Sequence, residues 1–190
     1  MREEPLSALE EHARIPIVFK VDRLLVMSVE NAGMGGFILS ERKLDVPYIK
    51  DYDTIDGGPA AWTKRFDVSN WGLISAHSRG QRVGGAVIAV NTPGVDMLEG
   101  CADLAVLWDI RVKPDLRGHG IGSELFRAAE EWAAARNCRE LKVETQNINV
   151  AACKFYERQG CVLGAIHRFA YRNCPDEIQM LWYKNLVLRK

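Results

Sequence analysis

Residues 104–123, LAVLWDIRVKPDLRGHGIGS, constrain the chain more than any other stretch. An apolar-rich run from Leu104 to Val112 reads as a strand and meets a turn at Pro114. Arg117, Gly118, Gly120 and Gly122 follow, and a helix pattern opens near Ser123. Glycine lets the backbone take positive φ and approach a ligand closely. The first amides of a helix have no partner inside it. A strand that feeds a glycine-rich turn into a helix start is therefore a ready anion site. The alternative is a tight turn that binds nothing, and Arg117 weighs against it because a guanidinium suits phosphate bidentately. No Gly-Lys-Ser/Thr follows, which excludes a Walker loop, and the alternating glycines miss the GxGxxG spacing of a dinucleotide fold. The turn is expected to hold a coenzyme pyrophosphate.

The rest of the chain supplies a sheet for this turn. Beyond it, Leu125, Ala129, Trp132 and Ala133 fall on one face of an amphipathic helix. Glu140 to Gln146 reads as a strand. Asn149 is placed as N-cap of a short helix, Val150 to Arg158, that stops at Gly160. Two closing strands are expected at Cys161–Ala165 and Glu177–Asn185, with Tyr171–Pro175 in a loop between them. Upstream, residues 5–14 suggest a short helix, Ile15–Ser28 one or two strands, and Asn31–Gly36 a turn. Phe37–Val46 is ambiguous. Trp71–His77 and Val83–Val90 read as a β-hairpin, and Asn91–Asp103 as a loop. The class is mixed α/β, a twisted sheet flanked by helices, with parallel neighbours from the strand–helix–strand unit. At 190 residues, with no repeat or linker, one domain over 1–190 is expected.

Lys+Arg and Asp+Glu both number 25, so the formal net charge is zero. This argues against nucleic-acid binding through a general basic surface. Five cysteines without CxxC spacing suggest reduced thiols, and four histidines without a ligand pair argue against a metal. The N-terminus has no apolar signal core, and the apolar runs are too short for a bilayer. A soluble, cytoplasmic protein without membrane contact is the expectation. The stretch Asp45–Asp56, DVPYIKDYDTID, gathers Asp51 and Asp53 near Tyr48 and Tyr52. It reads first as a solvated loop or frayed helix end, and alternatively as an acidic, aromatic lip for a polycationic substrate.

Two motifs bring a family into view. Arg117-x-x-Gly120-x-Gly122, between a strand and a helix, resembles the acetyl-CoA-binding motif of the GNAT N-acetyltransferases. Asn149-x-x-Ala152-x-x-Phe155-Tyr156-Glu157-x-x-Gly160 resembles the asparagine-to-tyrosine helix after that superfamily's fifth strand. Two motifs in the right order are more specific than either alone. Within the superfamily, Val143-Glu144-Thr145-Gln146 leading to Ala152-Cys153-Lys154-Phe155-Tyr156 is similar to streptothricin acetyltransferases. So are Val46-Pro47-Tyr48-Ile49-Lys50, Tyr171 and the Leu181-Trp182-Tyr183 ending. Trp108 departs from that subgroup, which has an acidic residue before Asp109.

The resemblance implies a GNAT-like mixed sheet of about seven strands, splayed between the fourth and fifth. It implies acetyl-CoA as co-substrate, no metal, and a small cationic amine as acceptor, streptothricin first. Aminoglycosides, polyamines and peptide N-termini remain alternatives, as does an acyl-CoA-binding module without turnover. GNAT proteins are often homodimers, although no stripe here marks an interface. The coenzyme would lie on Ile110, Arg111 and Val112, on the turn from Arg117 through Gly118, His119, Gly120, Ile121, Gly122 and Ser123, and on Asn149, Ala152 and Tyr156. Tyr48, Asp51, Asp53, Trp108, Asp109 and Glu144 are assigned to the substrate side.

The chemistry sets its own demands. An alkylamine has a pKa near ~10, so only about one molecule in a thousand is neutral at pH 7. Attack on a thioester then needs a proton acceptor. Glu144 is the first candidate and Asp109 the second, with substrate anchor and structural acceptor as their other readings. Backbone amides near Ile110 and Val112 could bind the oxyanion. Tyr156 is, by resemblance, the proton donor to the leaving thiolate. Adjacent helix positions do not share a face, which favours an exposed Tyr156 over a packed one. Cys153 reads as a small buried hydrophobe, since no histidine near it in sequence could activate it.

Overall fold

The most apolar runs of the chain become its central strands. The computed structural model describes residues 1–186. Its strands are β1 (Arg2–Glu4), β2 (Phe19–Glu30), β3 (Gly36–Lys50), β4 (Gly72–Ser78), β5 (Gln81–Val90), β6 (Leu104–Val112), β7 (Glu140–Gln146), β8 (Val162–His167) and β9 (Gln179–Asn185). The helices are α1 (Leu9–Ala13), α2 (Asp53–Asp56), α3 (Pro59–Arg65), α4 (Ile121–Ala134) and α5 (Val150–Arg158). Seven strands form a mixed sheet in the order β1-β4-β5-β6-β7-β9-β8, while β2 and β3 pair separately. This is the expected α/β class. Among the described residues no helix is long and apolar enough to cross a membrane.

The described residues divide into two compact units: residues 1–17, 51–143 and 183–186, and residues 18–50 with 144–182. In the first, Val83–Val90 of β5 is buried throughout, the pattern of a strand covered on both faces. Helix α4 buries Leu125, Phe126, Ala129, Trp132 and Ala133, the face expected from its periodicity with Phe126 added. Strand β6 pairs antiparallel with β5 and parallel with β7, the latter registered from Leu104↔Glu140 to Leu107↔Val143. On β5, Val87 lies opposite Asp109 and Ile88 opposite Leu107, so Trp108 is the extra residue of a β-bulge.

The second unit corrects the reading of residues 37–56. Phe37–Val46 is strand, and Asp45–Lys50, expected as loop or frayed helix end, continues the same strand. Only Asp53–Asp56 is helical. The cause is non-local: β2 pairs with Gly36–Lys43 and again with Tyr48–Lys50, on either side of an irregularity at residues 44–47. Cross-strand pairing overrides weak local preference. Two further elements, β1 against β4 and helix α3, had no clear signal in the sequence.

Candidate functional site

In the first unit β6 ends at Val112, one 3-10 turn spans Pro114–Leu116, and the chain enters α4 at Ile121, two residues earlier than the sequence suggested. Gly118 (φ 82°) and Gly120 (φ 86°) make that entry possible. A Cβ at either would meet nothing within 4 Å, so left-handed backbone, not space, calls for glycine. The N-cap of this fourteen-residue helix is Gly120, which has no side chain to cap it. Its first turn therefore has the donor-rich, electropositive character that suits an anion. Arg117 is held beside it: Nε donates to the Val112 carbonyl and Nη2 to the Pro16 carbonyl, each at 3.0 Å. Burial and the neighbouring Arg111 charge bring its pKa below the ordinary arginine value. His119 is exposed, with Nδ1 3.1 Å from the Arg117 carbonyl oxygen.

Next to this turn lies a buried ionic network. Arg111 donates from Nε to Asp109 Oδ1 at 2.9 Å, from Nη1 to Asp53 Oδ2 at 2.8 Å, and from Nη1 to the Ile15 carbonyl at 3.0 Å. His12 Nε2 lies 2.9 Å from Asp109 Oδ1. Burial alone would raise the Asp109 pKa, but the Arg111 charge, its hydrogen bonds and His12 outweigh that. They hold the carboxyl well below the usual carboxylate range. Asp109, the second candidate proton acceptor, is thus committed to Arg111, and a carboxylate stabilised so strongly by a guanidinium is a weak base. Asp53, assigned to the substrate side, has its carboxylate closed on Arg111. Asp51 Oδ1 accepts from the Asp53 amide at 3.1 Å. Trp108 packs against Trp62, Phe66 and Trp71, with ring centroids 5.1–6.3 Å away.

The second unit holds the other carboxylate. Glu144 Oε1 accepts from Tyr171 Oη at 2.6 Å and from Gln146 Nε2 at 3.4 Å, and Oε2 accepts from Gln179 Nε2 at 2.7 Å. Asn149 caps α5 as expected, its Oδ1 accepting from the Ala152 amide at 3.1 Å. A cavity of about 260 Å³ opens at this helix start, lined by Asn149, Val150 and Ala151 together with Lys20 and Lys154. Tyr156 is only 5% exposed, which overturns the expectation of an exposed phenol; Phe155 is the more open of the pair. Val150, Cys153 and Tyr156, spaced by three, form the buried stripe. Cys153 is buried, as anticipated, and burial pushes its thiol up. Tyr48 stands on β3 opposite Val21, largely open, and neighbouring Lys50 pairs with Glu177.

A model of the GNAT acetyltransferase family matches residues 41–161, more than half of the chain. The chain belongs to the GNAT acetyltransferase family. It is 29% identical over 175 residues to streptothricin acetyltransferase A of Bacillus subtilis, covering 87% of each chain. It is 32% identical over 154 residues to a streptothricin acetyltransferase of Escherichia coli, covering 78% of this chain and 76% of that one. A Bacillus anthracis protein of the streptothricin acetyltransferase type, solved with acetyl coenzyme A, superposes with a TM-score of 0.74 at 26% identity. That match spans 97% of this chain and 98% of the other.

Within this GNAT chain, sequence reasoning missed His12, Gln146 and Gln179 as partners of the two carboxylates. Gln146 was findable, since positions two apart on a strand share a face and Glu144 was already singled out. His12 and Gln179 meet their partners through tertiary contact and carry no local signal. Among the described residues no group of three or more His, Cys, Asp or Glu could hold a metal ion.

Proposed function

We propose that this chain transfers the acetyl group of acetyl-CoA to a primary amine of a small cationic molecule, with streptothricin the first acceptor to test. The observation that carries the coenzyme half is the uncapped start of α4 behind the left-handed Gly118 and Gly120, with Arg117 anchored beside it. Backbone amides and a fixed guanidinium match a pyrophosphate. The acetyl coenzyme A bound by the related Bacillus anthracis protein supports that assignment. Asn149 and Ala152 are assigned to the pantetheine arm. The acceptor half rests on the two streptothricin acetyltransferases that align over more than three quarters of the chain.

In this reading Glu144 takes the proton of the substrate ammonium, directly or through water. The neutral nitrogen attacks the thioester carbonyl carbon, a C–N bond forms, and the C–S bond breaks. Amides near Ile110 and Val112 hydrogen-bond the oxyanion while its charge develops. The departing thiolate takes its proton from Tyr156, and the phenolate recovers one from the acylated nitrogen, which sheds its second proton as the amide forms. Asp109 has a structural part, holding Arg111 and His12 in place.

Mixing the purified chain with acetyl-CoA and streptothricin, and following CoA release with a thiol reagent, tests the proposal. Release dependent on streptothricin supports it. No release above background with streptothricin redirects the search to aminoglycosides, polyamines and peptide N-termini. Coenzyme binding without transfer to any amine would mean an acyl-CoA-binding module.

A further inference from the structure

Asp109 and Glu144 are partnered in opposite ways. Asp109 is met by a guanidinium and an imidazole. Glu144 is met only by neutral groups, the Tyr171 phenol and the Gln146 and Gln179 amides. Among the described residues no lysine, arginine or histidine ion-pairs with Glu144. A half-buried carboxylate dressed only with dipoles lacks a counter-charge, and a cation brought in from outside supplies one.

The same contacts limit which cation fits. A carboxylate has about four lone-pair sites. Tyr171 and Gln146 share Oε1, and Gln179 takes a site on Oε2. About one site is left. A guanidinium binds best through two parallel N–H···O bonds, one to each oxygen, and the occupied oxygens oppose that arrangement. A compact ammonium needs a single well-aimed acceptor.

Tyr171 fixes where that acceptor points. Its 2.6 Å contact is in the range of a strong phenol-to-carboxylate hydrogen bond. Burial, and then the Glu144 charge, push the phenol pKa up, so Tyr171 stays protonated and acts as a donor at neutral pH. Gln146 Nε2 also donates to the phenol oxygen at 3.0 Å, which orients the hydroxyl from its other side.

We propose that Glu144, Tyr171, Gln146 and Gln179 form a recognition subsite for one alkylammonium group, selective against guanidinium, in which Tyr171 is the positioning residue for Glu144. This rests on the acetyltransferase reading and adds to it the class of amine and the group that aims the carboxylate. Gln179 is the second anchor, on the opposite oxygen. The subsite predicts acceptors with a flexible aminoalkyl arm, and it disfavours arginine-like ones.

The test is calorimetric binding of cadaverine and of its bis-guanidine analogue, 1,5-diguanidinopentane, to the full chain in the presence of CoA, followed by initial rates with acetyl-CoA and the best amine acceptor. The wild type should bind cadaverine at least about tenfold more tightly than the bis-guanidine, which has no ammonium group, since one charge-assisted hydrogen bond is of that order. Glu144→Gln should erase the preference. Tyr171→Phe should weaken cadaverine binding and raise KM for the amine about tenfold, with a smaller change in kcat and unchanged CoA affinity. Gln179→Ala should shift the same quantities in the same direction, and CoA binding confirms that each variant is folded. The bis-guanidine bound as tightly as cadaverine by the wild type overturns the proposal. So does a Tyr171→Phe variant that binds CoA normally and keeps the wild-type amine Kd and KM. Because the binding arm needs no turnover, failure of acetyl transfer to streptothricin remains a separate result.

Discussion

His12 and Asp109, 97 positions apart in sequence, meet at 2.9 Å with side chains 0% and 3% exposed. The contact ties helix α1 to strand β6, and Arg111 completes it by reaching Asp109, Asp53 and the Ile15 carbonyl. Breaking such a buried cluster costs far more than its net worth, because the remaining charges keep their burial and lose their partner.

Asp109→Asn therefore removes the one carboxylate shared by Arg111 and His12. Denaturant unfolding should show a loss of about 3–5 kcal/mol. The acid branch of stability should change as well. The folded Asp109 pKa is depressed, so its contribution is complete above the ordinary aspartate value near ~3.9 and fades as pH falls through the lower folded value. The wild-type melting temperature should drop below about pH 4, and the Asn variant should lose much of that dependence.

Gly85→Ala tests the docking of α1 from the other side. A Cβ there would stand 2.5 Å from His12 Nδ1, a buried nitrogen with no hydrogen-bond partner among the described residues. Overpacking of this kind costs about 1–3 kcal/mol. Combining it with His12→Ala should recover part of the loss in a double-mutant cycle, and strictly additive values would show that His12 is not the obstacle.

Arg117→Ala should weaken acetyl-CoA binding about tenfold or more by calorimetry, as expected for losing one charge-assisted contact to phosphate. Amine affinity should stay within about twofold of wild type.

Tyr156→Phe should lower kcat by about 10²-fold or more with acetyl-CoA affinity retained, as for removal of a general acid. A variant with the wild-type kcat would relieve Tyr156 of the proton transfer and leave it a packing residue beside Phe155, whose ring centroid is 5.2 Å away.

Legibility in the sequence followed the range of the forces involved. The turn at Gly118–Gly120, the apolar face of α4 and the Asn149 cap depend on local backbone and side-chain rules, and all were readable. The strand pairing of Tyr48–Lys50 depends on β2, more than twenty residues away, and the segment's own composition concealed it. Trp108 puzzled the sequence reading because a β-bulge leaves no composition signature; with Trp62, Phe66 and Trp71 around it, the ring has an apolar place. Tyr156 was misjudged for a different reason. The Phe155–Tyr156 pair says only that the two rings diverge, while the spacing of Val150, Cys153 and Tyr156 says which one turns inward.

The donors to Glu144 come from three places: Gln146 from the same strand, Tyr171 from the loop before β9, and Gln179 from β9 itself. None belongs to the glycine turn or to the Asn149 cap. If Glu144 receives the acceptor amine, variation of those three side chains would retune acceptor choice by small steps while the residues assigned to the acetyl donor stay as they are.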